Sequence, residues 1–398
     1  MYEMDHIAGS PRRTQMRAVR PRLGIIGGGQ LAKMTAAAAL RLGCDVAVLE
    51  RNAQSPAGNM AAHLLVGDWD DPQTLLQLAA AVDVVTLENE FVSAEALAAI
   101  EGAGVVLHPS SQTMRLIQDK MLQKQFCDET GIATARWRSV QTPQDVTQAG
   151  ETFGWPLLLK ARRNAYDGKG NVTIADPSQV ETAWATIDRN GGLYVEEFCK
   201  FERELAVIVT RGRDGATAVY PVVESIQRSH VCHGVKAPAD IPPATAQRAT
   251  DLSRQLVQAI SGVGSFGVEM FLLPDGRVLM NEIAPRVHNS GHYTVEACIC
   301  SQFENHVRAV MGWPLGAPVM IGPACAMVNL LGRRSGSGVP RGLHRALMVP
   351  GASVHLYGKL TCQPGRKMGH VTALGATLEE AMATAMSAAS LIDFGDSV

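Results

Sequence analysis

Phe266-Gly267-Val268-Glu269-Met270-Phe271-Leu272-Leu273, a Pro274-Asp275-Gly276 turn, and Val278-Leu279-Met280-Asn281-Glu282-Ile283-Ala284-Pro285-Arg286-Val287-His288-Asn289-Ser290-Gly291-His292 form the stretch that organises this chain. Two apolar runs on either side of a Pro-Asp-Gly turn predict a β-hairpin. Glu269 lies inside the first strand; Glu282, beside Asn281, lies near the end of the second. A carboxylate in an apolar strand needs a counter-charge or a metal to offset its desolvation. Two carboxylates and an amide oxygen converging from neighbouring strands suit Mg²⁺ ions that also grip nucleotide phosphates. Arg286 follows as an anion clamp, and the His-Asn-Ser-Gly-His run supplies polar groups beyond it. Alone, the segment is equally compatible with a surface hairpin whose acids face water, and the rest of the chain has to decide.

Upstream, residues 244–261 read as a helix leading into the hairpin. The segment 227–236 holds His230, Cys232 and His233 but no second pair of ligands, so it reads as a surface loop and not a zinc site. Residues 193–199 read as a strand ending in acids, with Glu204 opening the next. Such a segment, here Glu196 to Cys199, can offer backbone groups to a purine edge and carboxylates to a ribose. Residues 155–161 are an apolar strand carrying a single lysine, Lys160, which is costly there without an anion and is a phosphate-binding candidate. A polar loop follows, with Gly168 and Gly170 flanking Lys169, and reads either as a lid over a triphosphate or as a plain hairpin loop. It lacks the P-loop pattern. Asp119-Lys120-Met121 opens a helix that Gly131 stops.

Further upstream, a strand at 23–26 runs into Gly27-Gly28-Gly29-Gln30, then a helix at 31–42 and a strand at 46–50. A glycine turn at a helix N-terminus favours an anion, and with Glu50 it loosely fits a dinucleotide fingerprint. Tight strand–helix packing explains the glycines equally simply. Strand-like runs at 64–68, 82–88 and 105–109 alternate with helices, which predicts a doubly wound parallel sheet. Glu88 and Glu90 fall at a strand's carboxyl end, where ligands of such sheets bind, or are simply solvated there. Downstream of the hairpin, Trp313-Pro314-Leu315 marks a boundary; short strands follow, then a helix at 377–390 with Thr377 and Glu380 as a capping box. Lys359 and Arg366 stand near strand ends and by themselves read as solvated charges.

The totals agree with several α/β units. A chain of 398 residues suggests two or three domains, and a net charge of −2 gives no argument for nucleic acid. The eight cysteines contain no CxxC pair and read as reduced thiols in a cytoplasmic protein. No apolar run suits a membrane span. Residues 1–22, basic and without an apolar core, read as a flexible extension.

With these pieces in order the chain resembles ATP-grasp ligases. Gly27 to Leu31, Tyr166-Asp167-Gly168-Lys169-Gly170, Asn281 to His292 and Pro364 to His370 resemble 5-(carboxyamino)imidazole ribonucleotide synthetases, the ATP-dependent carboxylases of purine synthesis. The likeness covers about residues 23–390. It implies an extension at 1–22, a pre-ATP-grasp domain at 23–118, an ATP-grasp domain at 119–312 and a small β-rich domain at 313–398. It implies ATP and Mg²⁺ as cofactors, with aminoimidazole ribonucleotide and bicarbonate as substrates, and a homodimer. By the same likeness Lys120 and Lys160 hold ATP phosphates, and the loop Ala165 to Asn171 (Ala165, Tyr166, Asp167, Gly168, Lys169, Gly170, Asn171) closes over them. Glu196, Glu197, Phe198 and Cys199 line the adenine pocket, Glu204 meets the ribose, and Gln227 and Asn281 complete the nucleotide set. Glu269 and Glu282 hold the metal. Tyr166, Asp167, Lys169, His288, Asn289, Lys359 and Arg366 face the ribonucleotide and bicarbonate, with Glu88 at the rim and Arg286 and Lys160 assisting the chemistry. Ala165 departs from a usual glycine, and Gln227 from a histidine of some relatives. Two other classes remain open: an ATP-grasp ligase acting on formate or an amino acid, and a dinucleotide oxidoreductase or a purely nucleotide-binding protein.

Overall fold

The structure, a computed structural model, describes residues 20–163, 170–187, 191–228 and 231–395. The first layer is β1 (Arg22–Ile26), α1 (Gln30–Arg41), β2 (Asp45–Glu50), β3 (His63–Val66), α2 (Pro72–Ala81), β4 (Val84–Leu87), α3 (Ala94–Gly102) and β5 (Val106–Leu107). Its strands are all parallel, in the order β3-β2-β1-β4-β5. Leu23, Ile25 and Ile26 of β1 are fully buried, and separate apolar clusters fill the two faces of the sheet. Burial on both faces is why the inner strands β1, β2 and β4 are apolar runs without alternation. Arg22 lies inside β1 and not in the expected extension: it pairs with Asp45 in the ladder, and Asp83 accepts from its N–H (2.8 Å) and its guanidinium (2.7 Å). Residues 1–19 lie outside the described residues.

Helices α4 (Ser111–Gln118) and α5 (Lys120–Thr130) lead to the second layer. Asp119 caps α5 by accepting from the N–H groups of Met121 and Leu122, and Gly131 ends it at φ 71°. Then come β6 (Trp137–Val140), α6 (Pro143–Phe153), β7 (Leu157–Ala161), β8 (Asn171–Ile174), α7 (Val180–Thr186) and β9 (Leu193–Glu197), an antiparallel sheet in the order β6-β9-β7-β8.

The largest sheet takes β10 (Arg203–Arg211), β11 (Thr217–Val219), β12 (Val223–Arg228), β13 (Val231–Ala237) and, after α8 (Pro243–Ile260), the predicted hairpin β14 (Gly264–Leu272) and β15 (Val278–Ala284). Beyond α9 (Thr294–Ala297) and α10 (Gln302–Met311) the chain runs through β16 (Ala324–Leu331), β17 (Gly336–Ser337), α11 (Leu343–Leu347), β18 (Ala352–Leu356), β19 (Thr361–Cys362), β20 (Lys367–Gly375) and α12 (Leu378–Ser390), of which β16, β20 and β18 extend this sheet. The order is β15-β14-β10-β12-β13-β16-β20-β18, with β11 beside β10 and β17 paired only with β19. The last strands thus extend the central sheet. The 227–236 segment is an antiparallel strand pair and not a surface loop. Its polar residues are the outer half of an alternation whose inner half, including Cys232 and Val235, is buried. Thr377 caps α12 by accepting from the Glu380 N–H.

Helix α10 wedges the first layer against the central sheet. Its Phe303, Val307 and Val310 share a core with Leu23, Ile25 and α1. His306 links the two sheets: Nδ1 accepts from the Ser265 N–H (3.0 Å), which leaves Nε2 to donate to Thr86 Oγ1 (2.9 Å). The carboxyl end of β4, with Glu88 and Glu90, is therefore held against β14 and β15.

Candidate active site

The β14–β15 ladder sets Glu269 opposite Glu282. The register then slips, so that Met270 faces Met280 and Asn281 is the extra residue of a bulge. Burial, the charge of Glu282 and that of Glu204 push the Glu269 carboxyl up to about 7. Lys120, first residue of α5, lies on Glu282. One turn further on, Lys124 pairs with Glu196 Oε1 (2.8 Å), while Lys160 of β7 donates to Glu196 Oε2 (2.6 Å). Burial disfavours the Glu196 carboxylate, but the two lysines outweigh it and hold its pKa at about 2. Two carboxylates facing each other, one of them carrying Lys120, fit a divalent ion that completes its shell with other oxygen ligands. Among the described residues no cluster of three or more His, Cys, Asp or Glu side chains forms a metal cage.

The second half of the site spans the first layer and the hairpin. Glu90 and Arg286 form a two-pronged pair, Nε–Oε2 2.5 Å and Nη2–Oε1 2.9 Å. Burial opposes ionisation of Glu90, yet the Arg286 charge and hydrogen bonds hold it at about 2. The Gly28 N–H donates to Glu50 Oε2 (2.6 Å) and the Gly29 N–H to Glu88. The anions at the helix N-terminus are thus the chain's own carboxylates, and neither Glu88 nor Glu90 is simply solvated. Burial pushes Glu88 up to about 7, against the Gly29 N–H and the nearby Arg286 and Lys359. Burial and the charge of Arg366 bring Lys359 down to about 8. His288 is bracketed by Gln302, which accepts from its N–H (2.9 Å) and donates to its carbonyl (2.7 Å). Its ring lies over Gly267, where a Cβ would come within 2.5 Å of His288 Cβ, and its Nε2 is 3.5 Å from Glu269. Burial and Arg286 lower its pKa to about 3, so it is neutral at pH 7. A cleft of about 300 Å³ opens between the two halves, lined by Glu90, Gln118, Lys120, Arg163 and Glu282 among others.

Not every expected residue enters this arrangement. The Glu197 carboxylate accepts from the N–H (2.9 Å) and Nε (2.6 Å) of Arg136, and Gln227 donates to Ser225 Oγ (3.0 Å). Arg366 Nη1 is spent on Thr361, donating to its carbonyl (2.8 Å) and hydroxyl (2.7 Å). Asn289 exchanges amide hydrogen bonds with Asn329 (3.0 and 2.7 Å). Glu204 is paired across the ladder with Phe271, its carboxyl raised by burial to about 7. Phe198 is exposed and Cys199 half-buried at the end of β9. Gly170 and Asn171 anchor the start of β8, Asn171 opposite Lys160. Ala165, Tyr166, Asp167, Gly168 and Lys169, like His230, lie outside the described residues. The sequence reading passed over Lys124, Gln302 and the Glu90–Arg286 pair. Only Lys124 carried a signal, its four-residue spacing from Lys120.

Comparisons with known proteins converge on this architecture. An ATP-grasp domain model matches residues 125–303, a ribonucleotide synthetase preATP-grasp domain 21–118, and a phosphoribosylaminoimidazole carboxylase C-terminal domain 325–384. The phosphoribosylaminoimidazole carboxylase of Ogataea methanolica is 42% identical over 90% of this chain, which spans 67% of that protein's length. The N5-carboxyaminoimidazole ribonucleotide synthase of Brucella melitensis is 42% identical over 88% of this chain and 95% of its own. The crystal structure of N5-carboxyaminoimidazole synthase from Aspergillus clavatus, in complex with ADP and 5-aminoimidazole ribonucleotide, is 36% identical with a TM-score of 0.85, covering 93% of this chain and 98% of that one.

Proposed function

The chain belongs to the N5-carboxyaminoimidazole ribonucleotide synthase family, and we propose that its cleft joins a carboxyl group to the amine of 5-aminoimidazole ribonucleotide by way of carboxyphosphate. It is an ATP-grasp ligase of purine biosynthesis, and the carboxylation depends on ATP. The observation that supports the residue assignments is the clustering of ionisable groups where the hairpin meets the first layer. Lys120 lies on Glu282, which faces Glu269, and Lys160 lies on Glu196; Arg286 pairs with Glu90 and, like Lys359, acts on the charge of Glu88. Glu269 and Glu282 would hold magnesium, with Asn281 beside them. When bound, that ion supplies screening of the triphosphate charge.

Lys120 and Lys160 hold the phosphates. A bicarbonate oxygen bonds to the γ-phosphorus while the bond to the ADP oxygen breaks, giving carboxyphosphate. Arg286, its Nε and one Nη2 proton oriented by Glu90, retains donors for the transferred group. The exocyclic amine then bonds to the carboxyl carbon, phosphate leaves, and Glu88 takes the amine proton. A carboxyl titrating near 7 suits that exchange. His288 is neutral and presents no charge to repel Arg286, and with Asn289 it lines the ribonucleotide side. Lys359 and Arg366 attract its phosphate. Glu196 to Cys199, with Glu204, border the base and ribose of the nucleotide. The resemblance assigns residues 165–171 to excluding water from carboxyphosphate.

A homodimer belongs to the same reading. Exposed Ile299, Val319 and Ile321 gather at one short antiparallel bridge, which supports a covered apolar face. Steady-state ADP release tests the function. Turnover should require both aminoimidazole ribonucleotide and bicarbonate, and turnover indifferent to either one overturns it.

A further inference from the structure

We propose that Lys33 is a positioning residue for the ribonucleotide side of the site: its ammonium grips the chain just ahead of Lys359 and fixes where that cation stands relative to Glu88. Lys33 lies in the second turn of α1, more than 300 residues from its partners. Its Nζ donates to the carbonyls of Leu356 (3.0 Å) and Tyr357 (3.2 Å). Burial lowers the ammonium's pKa, and among the described residues no carboxylate opposes that. A half-buried cation held only by two peptide carbonyls is a costly way to join two layers. It does something an apolar contact would not, because two successive carbonyls on one ammonium fix two peptide planes.

Those planes set the chain's direction at a defined point. β18 ends at Leu356, Tyr357 is 1% exposed and donates its N–H to the Met368 carbonyl (3.0 Å), and Gly358 turns at φ 79°. A Cβ on Gly358 would lie 3.4 Å from Lys33 Nζ. Lys359 follows, its Nζ 5.8 Å from the centre of the Tyr357 ring. The same helix α1 begins at the turn whose Gly29 N–H holds Glu88. One helix therefore fixes the acid at its start and, through Lys33, the cation that faces this acid.

The inference rests on the assignment of Lys359 to the ribonucleotide. Steady-state kinetics of Lys33→Met, Lys33→Arg, Lys359→Ala and the Lys33→Met/Lys359→Ala double variant test it. Lys33→Met should raise KM for aminoimidazole ribonucleotide about 10-fold, the size expected of hydrogen bonds to a charged group, with KM for ATP unchanged. Lys33→Arg should recover most of the loss. The double variant should be no worse than Lys359→Ala. The inference is overturned if both KM values rise together in step with a loss of Tm, or if the two substitutions add. If Lys359→Ala alone leaves the ribonucleotide KM untouched, the assignment beneath it falls first, and this inference with it.

Discussion

Two ends of one cleft hold their charges by different means. At the phosphate end the carboxylates are matched by lysines on regular structure: Glu196 by Lys124 and Lys160, Glu282 by Lys120. At the proposed ribonucleotide end Glu90 is matched by Arg286, but Glu88 leans on a backbone N–H, and the cations acting on it come from β15's exit and from the turn after β18. The consequence shows in the acids themselves, since Glu196 is held at about 2 and Glu88 rises to about 7. Glu196, matched by two lysines, stays ionised across the physiological range, which keeps Lys124 and Lys160 in place. The second end holds an acid that can gain or lose a proton near neutrality, which suits proton transfer. The hairpin's Glu269, also near 7, belongs spatially to the first end but lacks a lysine of its own, consistent with a place reserved for a metal.

The sharpest test of this contrast removes the carboxylate at the junction. Glu282→Gln keeps the shape of β15 but takes one of two facing charges from the phosphate end and the partner from Lys120. We expect kcat to fall about 10²-fold or more, a loss of the size seen when one electrostatic contact to a transition state is removed. Tm should change little, because the side chain is over a third exposed. A variant retaining wild-type, ribonucleotide-dependent ADP release would sink the metal assignment. Next in size is Lys124→Met. Lys124 and Glu196 are 4% and 3% exposed, so their attraction is poorly screened. Without Lys124, Lys160 alone must balance Glu196 and is drawn from the phosphate. A loss of one or two kcal/mol of phosphate binding corresponds to a rise in KM for ATP of about 10-fold, with KM for the ribonucleotide unaffected. Equal rises in both would show that the two ends are not separable.

The same contrast explains what could be read from the chain. Lys160, Glu269 and Glu282 each stand inside an apolar strand, so their cost is visible from neighbours one or two residues away. The parallel first layer was legible because its inner strands β1, β2 and β4 have buried apolar middles, and the hairpin because its turn chemistry is local. Lys359 and Arg366 stand in turn segments whose neighbouring residues betray no cost for a cation, although burial disfavours the Lys359 ammonium in the fold, and only resemblance to a family marked them. The partner of Arg286 lies 196 residues away, and no local pattern reports such a pairing. The strand over Val231–Ala237 was missed because it mixes polar residues with a buried cysteine and glycine, and a bulge breaks its alternation. The Glu197 carboxylate, placed by the motif on the nucleotide side, accepts from Arg136 of the neighbouring segment, a pairing no local pattern reports.

The smallest expected effect is in pH, and it is the one that separates the two ends without a mutation. In the proposed mechanism Glu88 acts as the carboxylate; with its pKa near 7, its contribution should grow as pH rises through 7. Lys359 attracts phosphate as the ammonium and has its pKa near 8, so its contribution fades as pH rises through 8. Together they predict a bell for kcat/KM of the ribonucleotide, highest between those values, with a fall of about threefold from pH 7.5 to 6.5 by simple titration of one group. At saturating magnesium kcat/KM for ATP should stay flatter over that interval, because Glu196 titrates near 2. Stability should follow its own signs. Glu88, raised in the fold, favours the native state below the ordinary carboxylate range and loses that contribution as pH rises through 7. Glu90, held at about 2 by Arg286, contributes above that range and loses it as pH falls toward 2. Glu88→Gln provides the control. It should lower kcat and remove the acid limb of the ribonucleotide profile, leaving the alkaline limb of Lys359 in place. If the acid limb survives, the proton acceptor is another group, and the division between a cation-matched end and a titrating end has to be redrawn around Glu269.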